Sequence, residues 1–197
     1  MSTKTLFLGS SSAAKSQAKE IAKTLTSEEV KFLPWWEAFT PGRTLLEELD
    51  DIRARVQGAV LIFSPEADAT VRGNIVQTPN LNVLFEFGYF YGHFGKKKVA
   101  MMKYGDFYLP SDFGGYIHIF GSNTFRRSAA KKVGSRTLTE FARWVKSADF
   151  EVNSGSSPTA DGSSPPNPTE ELKDRLKSAE SYRRSRDTAR NLNWRTL

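Results

Sequence analysis

The chain has 197 residues, of which 39% are hydrophobic and 12% aromatic, with a formal net charge of +6 and no cysteine. That length and apolar content fit one core-forming domain with an appendage and exclude a globally disordered chain. The lack of cysteine excludes disulfides, cysteine-ligated zinc, iron–sulfur clusters and thiol nucleophiles, and makes a reducing cytoplasm the expected compartment.

Thr5–Leu8 is a short apolar run, a first strand, closed by Gly9 and three serines. Its neighbouring N-terminal residues are too few and too polar for a secretory signal. Ala13 to Leu25 places Ala14, Ala18, Ile21, Ala22 and Leu25 at helical spacing. Val30–Leu33 reads as a second strand stopped by Pro34. Thr44 opens a second helix as its N-cap, with Glu47 at the capping-box position and Leu45, Leu46, Leu49, Ile52 and Val56 on one face. Ala59–Phe63 is a continuous apolar run, the signature of a parallel strand covered on both faces. Residues 64–79 read as a polar loop. Asn80 or Asn82 then caps a third helix carrying VLFEFGYF, Val99–Met102 forms a fourth strand, Tyr116–Phe120 a fifth, and Leu138 to Val145 lies in a closing helix.

Alternating strands and helices imply βαβ crossovers and a mostly parallel, doubly wound sheet over residues 1–150. Residues 151–168 are a flexible Ser/Pro/Gly linker, and residues 169–197 a basic helix and tail. No run approaches the roughly 18–20 apolar residues of a membrane span, so no membrane partner is expected. Basic residues are scattered, with 20 Lys/Arg against 15 Asp/Glu in residues 1–150. No zinc-finger spacing, RNP-like motif or helix-turn-helix accompanies them, so no nucleic-acid partner is expected.

Several chemistries lack their residues. Only His93 and His118 exist, and no G-x-S-x-G elbow, phosphate-loop or G-x-G-x-x-G motif is present. No metal site is expected, and His118, in an apolar strand, reads as a core residue. Glu86 is a carboxylate set inside an aromatic run, NVLFEFGYF. It is either on the polar stripe of its helix or a cleft carboxylate whose pKa burial would raise. The Ser10-Ser11-Ser12 loop, at a helix start, would favour phosphate or serve as an ordinary capped loop. Phe7 would stack with a base or join the core. Of Trp35 and Trp36, one should line a cleft or interface, since adjacent residues cannot both face one core. Asp112 would bond a ribose hydroxyl or cap a turn.

The series FLGSSS, LPWWEAFTPGRTLLEEL, GAVLIFSPEAD, VRGNIVQTPNLNVLFEFGYFYGHFGKKKV and LPSDFGG resembles, in order and spacing, the TIR-like domains of bacterial anti-phage effectors, including CBASS TIR–STING proteins and Pycsar TIR effectors. The resemblance implies an α/β, flavodoxin-like TIR fold with a five-stranded, mostly parallel sheet and helices on both faces. It implies an NAD⁺ glycohydrolase that cleaves the nicotinamide–ribose bond, with Glu86 catalytic. Phe7, Ser10, Ser11, Ser12, Trp35, Trp36 and Asp112 would line the pocket, and Arg72 would supply a cation. NAD⁺ is then the substrate, with no cofactor and no metal. The resemblance further implies activation by self-association through TIR domains, driven by a sensor domain or by a partner protein held by the C-terminal helix. One departure is the pair Asn80-Leu81, where members of this family often carry a basic residue. A nucleoside deoxyribosyltransferase-like enzyme and a non-enzymatic TIR scaffold are the alternatives.

Overall fold

The computed structural model describes residues 3–150 apart from Pro41, Gly114, Gly115, Ile117, Ser128, Ala130, Lys131 and Asp149, and at Asp112 the backbone only. The chain divides after Val152 into two units. The linker and basic helix expected over residues 151–197 lie outside the described residues.

Five strands form one sheet in the order β2-β1-β3-β6-β7: β1 (Lys4–Ser10), β2 (Val30–Pro34), β3 (Gly58–Phe63), β6 (Val99–Tyr104) and β7 (Ile119–Ser122). All four pairings are parallel. The helices are α1 (Lys15–Leu25), the single turn α2 (Trp35–Ala38), α3 (Leu45–Arg55), α4 (Leu81–Phe94) and α5 (Ser135–Ser147). This is the doubly wound α/β sheet that the residue pattern implied, in the flavodoxin-like form that the resemblance implied.

Alternation along the strands sorts side chains onto two faces. Leu6, Leu8, Val60, Ile62, Ala100 and Met102 pack with Ala18 and Ile21 of α1 and Phe141 and Val145 of α5. Phe7, Ala59, Leu61, Phe63, Val99 and Met101 face the other way, against Leu49 and Ile52 of α3 and Val83, Phe87 and Phe90 of α4. β3 is the middle strand and every one of its residues is buried, which is why it reads as an unbroken apolar run.

Helix starts follow local chemistry. Thr44 and Glu47 form a reciprocal capping box at α3, and the Asn80 side chain accepts from the backbone of Asn82 and Val83 at the start of α4. The helix ends expected to be capped are capped.

Three expectations are corrected. The loop assigned to residues 64–79 contains an antiparallel hairpin, β4 (Ala67–Val71) and β5 (Asn74–Thr78), paired apart from the main sheet. Its two-residue turn puts Arg72 at φ 50° and Gly73 at φ 80°, the left-handed pair that matches strand twist. Arginine is not a favoured residue for such a turn, and neither strand has a buried residue, so the polar strands look like loop. The fifth sheet strand starts at Ile119, later than the expected Tyr116, and His118 just before it is exposed rather than in the core.

Candidate active site

In a sheet of this order the chain leaves β1 toward β2 on one side and continues through β3, β6 and β7 on the other. The crevice outside the carboxyl ends of β1 and β3 is then the switch point where doubly wound folds take ligands. The residues that follow those two strands are Ser11–Ser12 and Ser64–Glu66.

Glu86 reaches this edge from α4. It is 6% exposed, among Val83, Phe87 and Phe90 of the same helix, which are buried against the sheet. Among the described residues its Oε2 has no hydrogen-bond partner. A methyl group placed on Gly9 would stand 3.0 Å from that oxygen, 2.9 Å from the Phe7 ring and 2.2 Å from a Leu61 methyl. Only a glycine lets β1 pass so close to the carboxylate. Burial without a charge partner disfavours the ionised form and pushes the Glu86 carboxyl up to about 7.

On the neighbouring loop the Trp35 indole donates to Ser10 Oγ at 3.0 Å, and the Ser10 hydroxyl donates to the Ser11 carbonyl. The two tryptophans part: Trp35 packs on the α3/α4 face and Trp36 on the α1/α5 face. The Lys15 ammonium sits 5.1 Å from one indole and 5.3 Å from the other, a cation–π arrangement at the first turn of α1.

A third group surrounds Glu66. The hydroxyls of Ser11 and Ser64 both donate to Oε1, Ser64 at 2.9 Å, and Asn80 Nδ2 donates to Oε2 at 3.4 Å. Ser11 Oγ also accepts from the Ala14 backbone at 3.2 Å. Arg127 donates to the Glu66 carbonyl at 3.2 Å.

With that geometry in view, the comparisons place the chain among known proteins. The family described as CAP12/Pycsar effector protein, TIR domain, matches residues 5–122, more than half of the chain. The chain belongs to this family of effector TIR domains. The CD-NTase-associated protein 12 of Sphingobacterium faecium is 32% identical over 141 residues, covering 71% of this chain and 43% of that protein. That of Niabella drilacis is 29% identical over 159 residues, covering 78% and 49%. The Pycsar effector protein PaPycTIR of Pseudomonas aeruginosa is 30% identical over 105 residues, covering 52% and 34%. The chain thus spans less than half the length of these curated relatives.

Within this TIR domain, the expected pocket residues fall into four sets. Ser10, Ser11, Trp35 and Glu86 converge on the end of β1, and exposed Ser12 follows them. Phe7 is fully buried, its ring 4.9 Å from that of Phe90 and tilted 40° to it; it supports the floor from beneath and offers no open surface to a base. Trp36 lies beyond Lys15 on the opposite sheet face. Arg72, at the hairpin tip, and Ser111, next to Asp112, line a separate cavity of about 310 Å³ with Val76, Tyr108 and Leu109. Among the described residues no hydrogen bond or ion pair joins Arg72 to the Glu86 group.

Sequence reasoning passed over Lys15, Ser64, Glu66 and the second role of Asn80. Lys15 carries no local signal, since its aromatic partners lie twenty residues away. Glu66 did carry one: it follows the most apolar strand of the chain by three residues, where a switch-point ligand would sit. Asn80 both caps α4 and reaches Glu66. Among the described residues no group of three His, Asp or Glu is placed to hold a metal ion, and no helix is long and apolar enough to cross a membrane.

Proposed function

We propose that this TIR domain hydrolyses NAD⁺ at the bond between nicotinamide and ribose, with Glu86 as the catalytic carboxylate. The observation that carries the reading is the Glu86 carboxyl itself: buried, unpartnered at Oε2 among the described residues, and pressed against Gly9, the next-to-last residue of β1. A carboxyl held this way is costly to ionise, and a cationic ligand relieves that cost. The nicotinamide ring of NAD⁺ carries such a charge. As the C–N bond breaks, its electron pair stays with nicotinamide and the positive charge passes to the ribose, spread over C1′ and the ring oxygen. An anionic Glu86 stabilises that charge as it develops. Water then adds to C1′ and loses a proton, giving ADP-ribose and neutral nicotinamide. NAD⁺ is the substrate; the reaction needs no metal or cofactor.

The names of the relatives support a wider reading, in which the chain serves as an effector of anti-phage defence in the cytoplasm. In it, copies assemble through their TIR domains and a sensor domain or partner protein supplies the trigger. The segment over residues 169–197 is the proposed attachment for that partner.

The test is NAD⁺ consumption by purified protein, assembled at high concentration with a crowding agent and monitored by light scattering. The expected result is loss of NAD⁺ with matching nicotinamide release by the wild type and none by Glu86→Gln. Equal turnover in both removes Glu86 from the chemistry, and no turnover by assembled wild-type protein removes the activity.

A further inference from the structure

Glu66 is a second carboxylate in the crevice, and the reaction above gives it no part. It follows β3 directly, and three donors from three different segments fix its orientation: Ser11 after β1, Ser64 after β3, and Asn80 at the cap of α4. Ser11 and Ser64 are 8% and 1% exposed, while Glu66 itself stays half-exposed. The donors are unevenly shared. Oε1 takes both hydroxyls, whereas among the described residues Oε2 has only the 3.4 Å contact from Asn80, which leaves it acceptor capacity for an incoming O–H.

The same contacts change what the loop after β1 can hold. A Gly-Ser-Ser-Ser turn into a helix is ordinarily suited to phosphate. Here the Ser11 hydroxyl donates to Glu66, the Ser10 hydroxyl donates to a backbone carbonyl, and a carboxylate stands beside them. A phosphate brought to this point meets that negative charge. A sugar hydroxyl donates to it. In doubly wound folds an acidic side chain that accepts from an unphosphorylated ribose is a known solution. Asn80, which Glu66 holds, and Glu86 lie six residues apart on α4, about 9 Å along its axis. If Glu86 meets the nicotinamide-side ribose, Glu66 addresses the other end of the dinucleotide.

We infer that Glu66 is a specificity-determining residue: its carboxylate accepts a hydroxyl of the adenosine-side ribose and rejects a phosphate there, so that the site takes NAD⁺ and refuses NADP⁺. The inference rests on the dinucleotide reading given above.

The experiment separates the two. Affinities for NAD⁺, NADP⁺ and nicotinamide mononucleotide are measured by calorimetry on the full chain carrying Glu86→Gln, with and without Glu66→Gln or Glu66→Asp, and each variant's melting is recorded. Glu86→Gln protein should bind NAD⁺ at least tenfold more tightly than NADP⁺. Adding Glu66→Gln should weaken NAD⁺ roughly tenfold, the scale of one hydrogen bond to a charged group, and bring the two dinucleotides near parity, with the mononucleotide unchanged. Glu66→Asp, which keeps the charge but loses reach, should weaken NAD⁺ and still refuse NADP⁺. The inference is overturned if NADP⁺ binds as well as NAD⁺ before Glu66 is changed, or if the preference survives in Glu66→Gln. It is equally overturned if all three ligands weaken together, the mark of a clamp without recognition. Those outcomes leave NAD⁺ cleavage standing, whereas failure of NAD⁺ to bind at all removes the reading beneath it.

Discussion

Glu66 and Glu86 flank the ends of adjacent central strands, and the protein surrounds them differently. Glu66 receives hydrogen bonds from two serines and an asparagine drawn from three segments. Glu86, more deeply buried, has no partner at Oε2. A carboxylate ringed by donors keeps a fixed geometry and gives little to a ligand beyond its spare lone pairs. A buried carboxylate without donors is held in a costly state that the right ligand can relieve. The contrast teaches that recognition and charge stabilisation call for opposite environments, even at the ends of neighbouring strands.

The largest effect that tests this contrast is on turnover. Glu86→Gln should lower NAD⁺ cleavage by roughly 10²–10³-fold or more, as loss of a preorganised electrostatic group does. For the wild type, kcat/KM should rise with pH and level off above about 7, because the free enzyme must ionise Glu86. The inflection in kcat should fall at lower pH, since a bound cationic ring favours the anion. A flat kcat/KM profile between pH 5 and 8 would remove the ionisation of Glu86 from the rate.

The same substitution should stabilise the fold. The Glu86 carboxyl stands at about 7 in the folded protein against 4.5 as its ordinary value. Below pH 4.5 both states hold the proton and the group costs nothing. Between 4.5 and 7 the unfolded chain ionises first, so stability falls as pH rises, and above 7 the loss is constant. At 1.36 kcal/mol per pH unit this is about 3 kcal/mol. Glu86→Gln should therefore gain on the wild type by about that amount from pH 4 to pH 8, read from urea midpoints. A gap independent of pH would mean that Glu86 finds donors in solution, and the contrast with Glu66 would lose its basis.

Gly9→Ala probes the contact that keeps Glu86 enclosed. The added methyl would press on Leu61, Phe7 and Glu86 Oε2, so a loss of roughly 1–3 kcal/mol is expected from overpacking. Activity should fall further than stability, because the carboxylate itself must move. Intact kcat with a lowered melting temperature would show that the close approach serves packing alone.

The framework of this site was legible because strands covered on both faces and capped helices leave strong local signals. The unbroken run of β3, the Thr44–Glu47 box and the Asn80 cap all appear in the sequence and in the fold. Glu86 stood out as a carboxylate among aromatics, although its burial needed the sheet beneath it. The partnership of Ser11, Ser64, Asn80 and Glu66 was not legible, since it joins segments up to 69 positions apart through polar side chains that follow no periodicity. The hairpin was missed for a different reason. Its strands bury nothing and its turn is Arg-Gly, so neither period nor turn chemistry marked it. The turn sets the position of Arg72, which the resemblance offered as a pocket cation.

The smallest effect sharpens the Glu66 side. Ser64→Ala removes one of the two hydroxyls on Oε1 while leaving Ser11 and Asn80 in place. The Ser64 site is 1% exposed, so water cannot readily replace the lost donor, and a cost of about 1 kcal/mol is expected. That cost should be the same at pH 6 and pH 8, because the lost contact is one hydroxyl donor. Glu86→Gln should change its effect across the same interval. Parallel urea titrations of the two variants at both pH values thus compare the carboxylates directly. A Ser64→Ala penalty that grows between pH 6 and pH 8 would show that the two groups titrate together. The separation drawn between a held carboxylate and an unheld one would then give way to a single coupled pair.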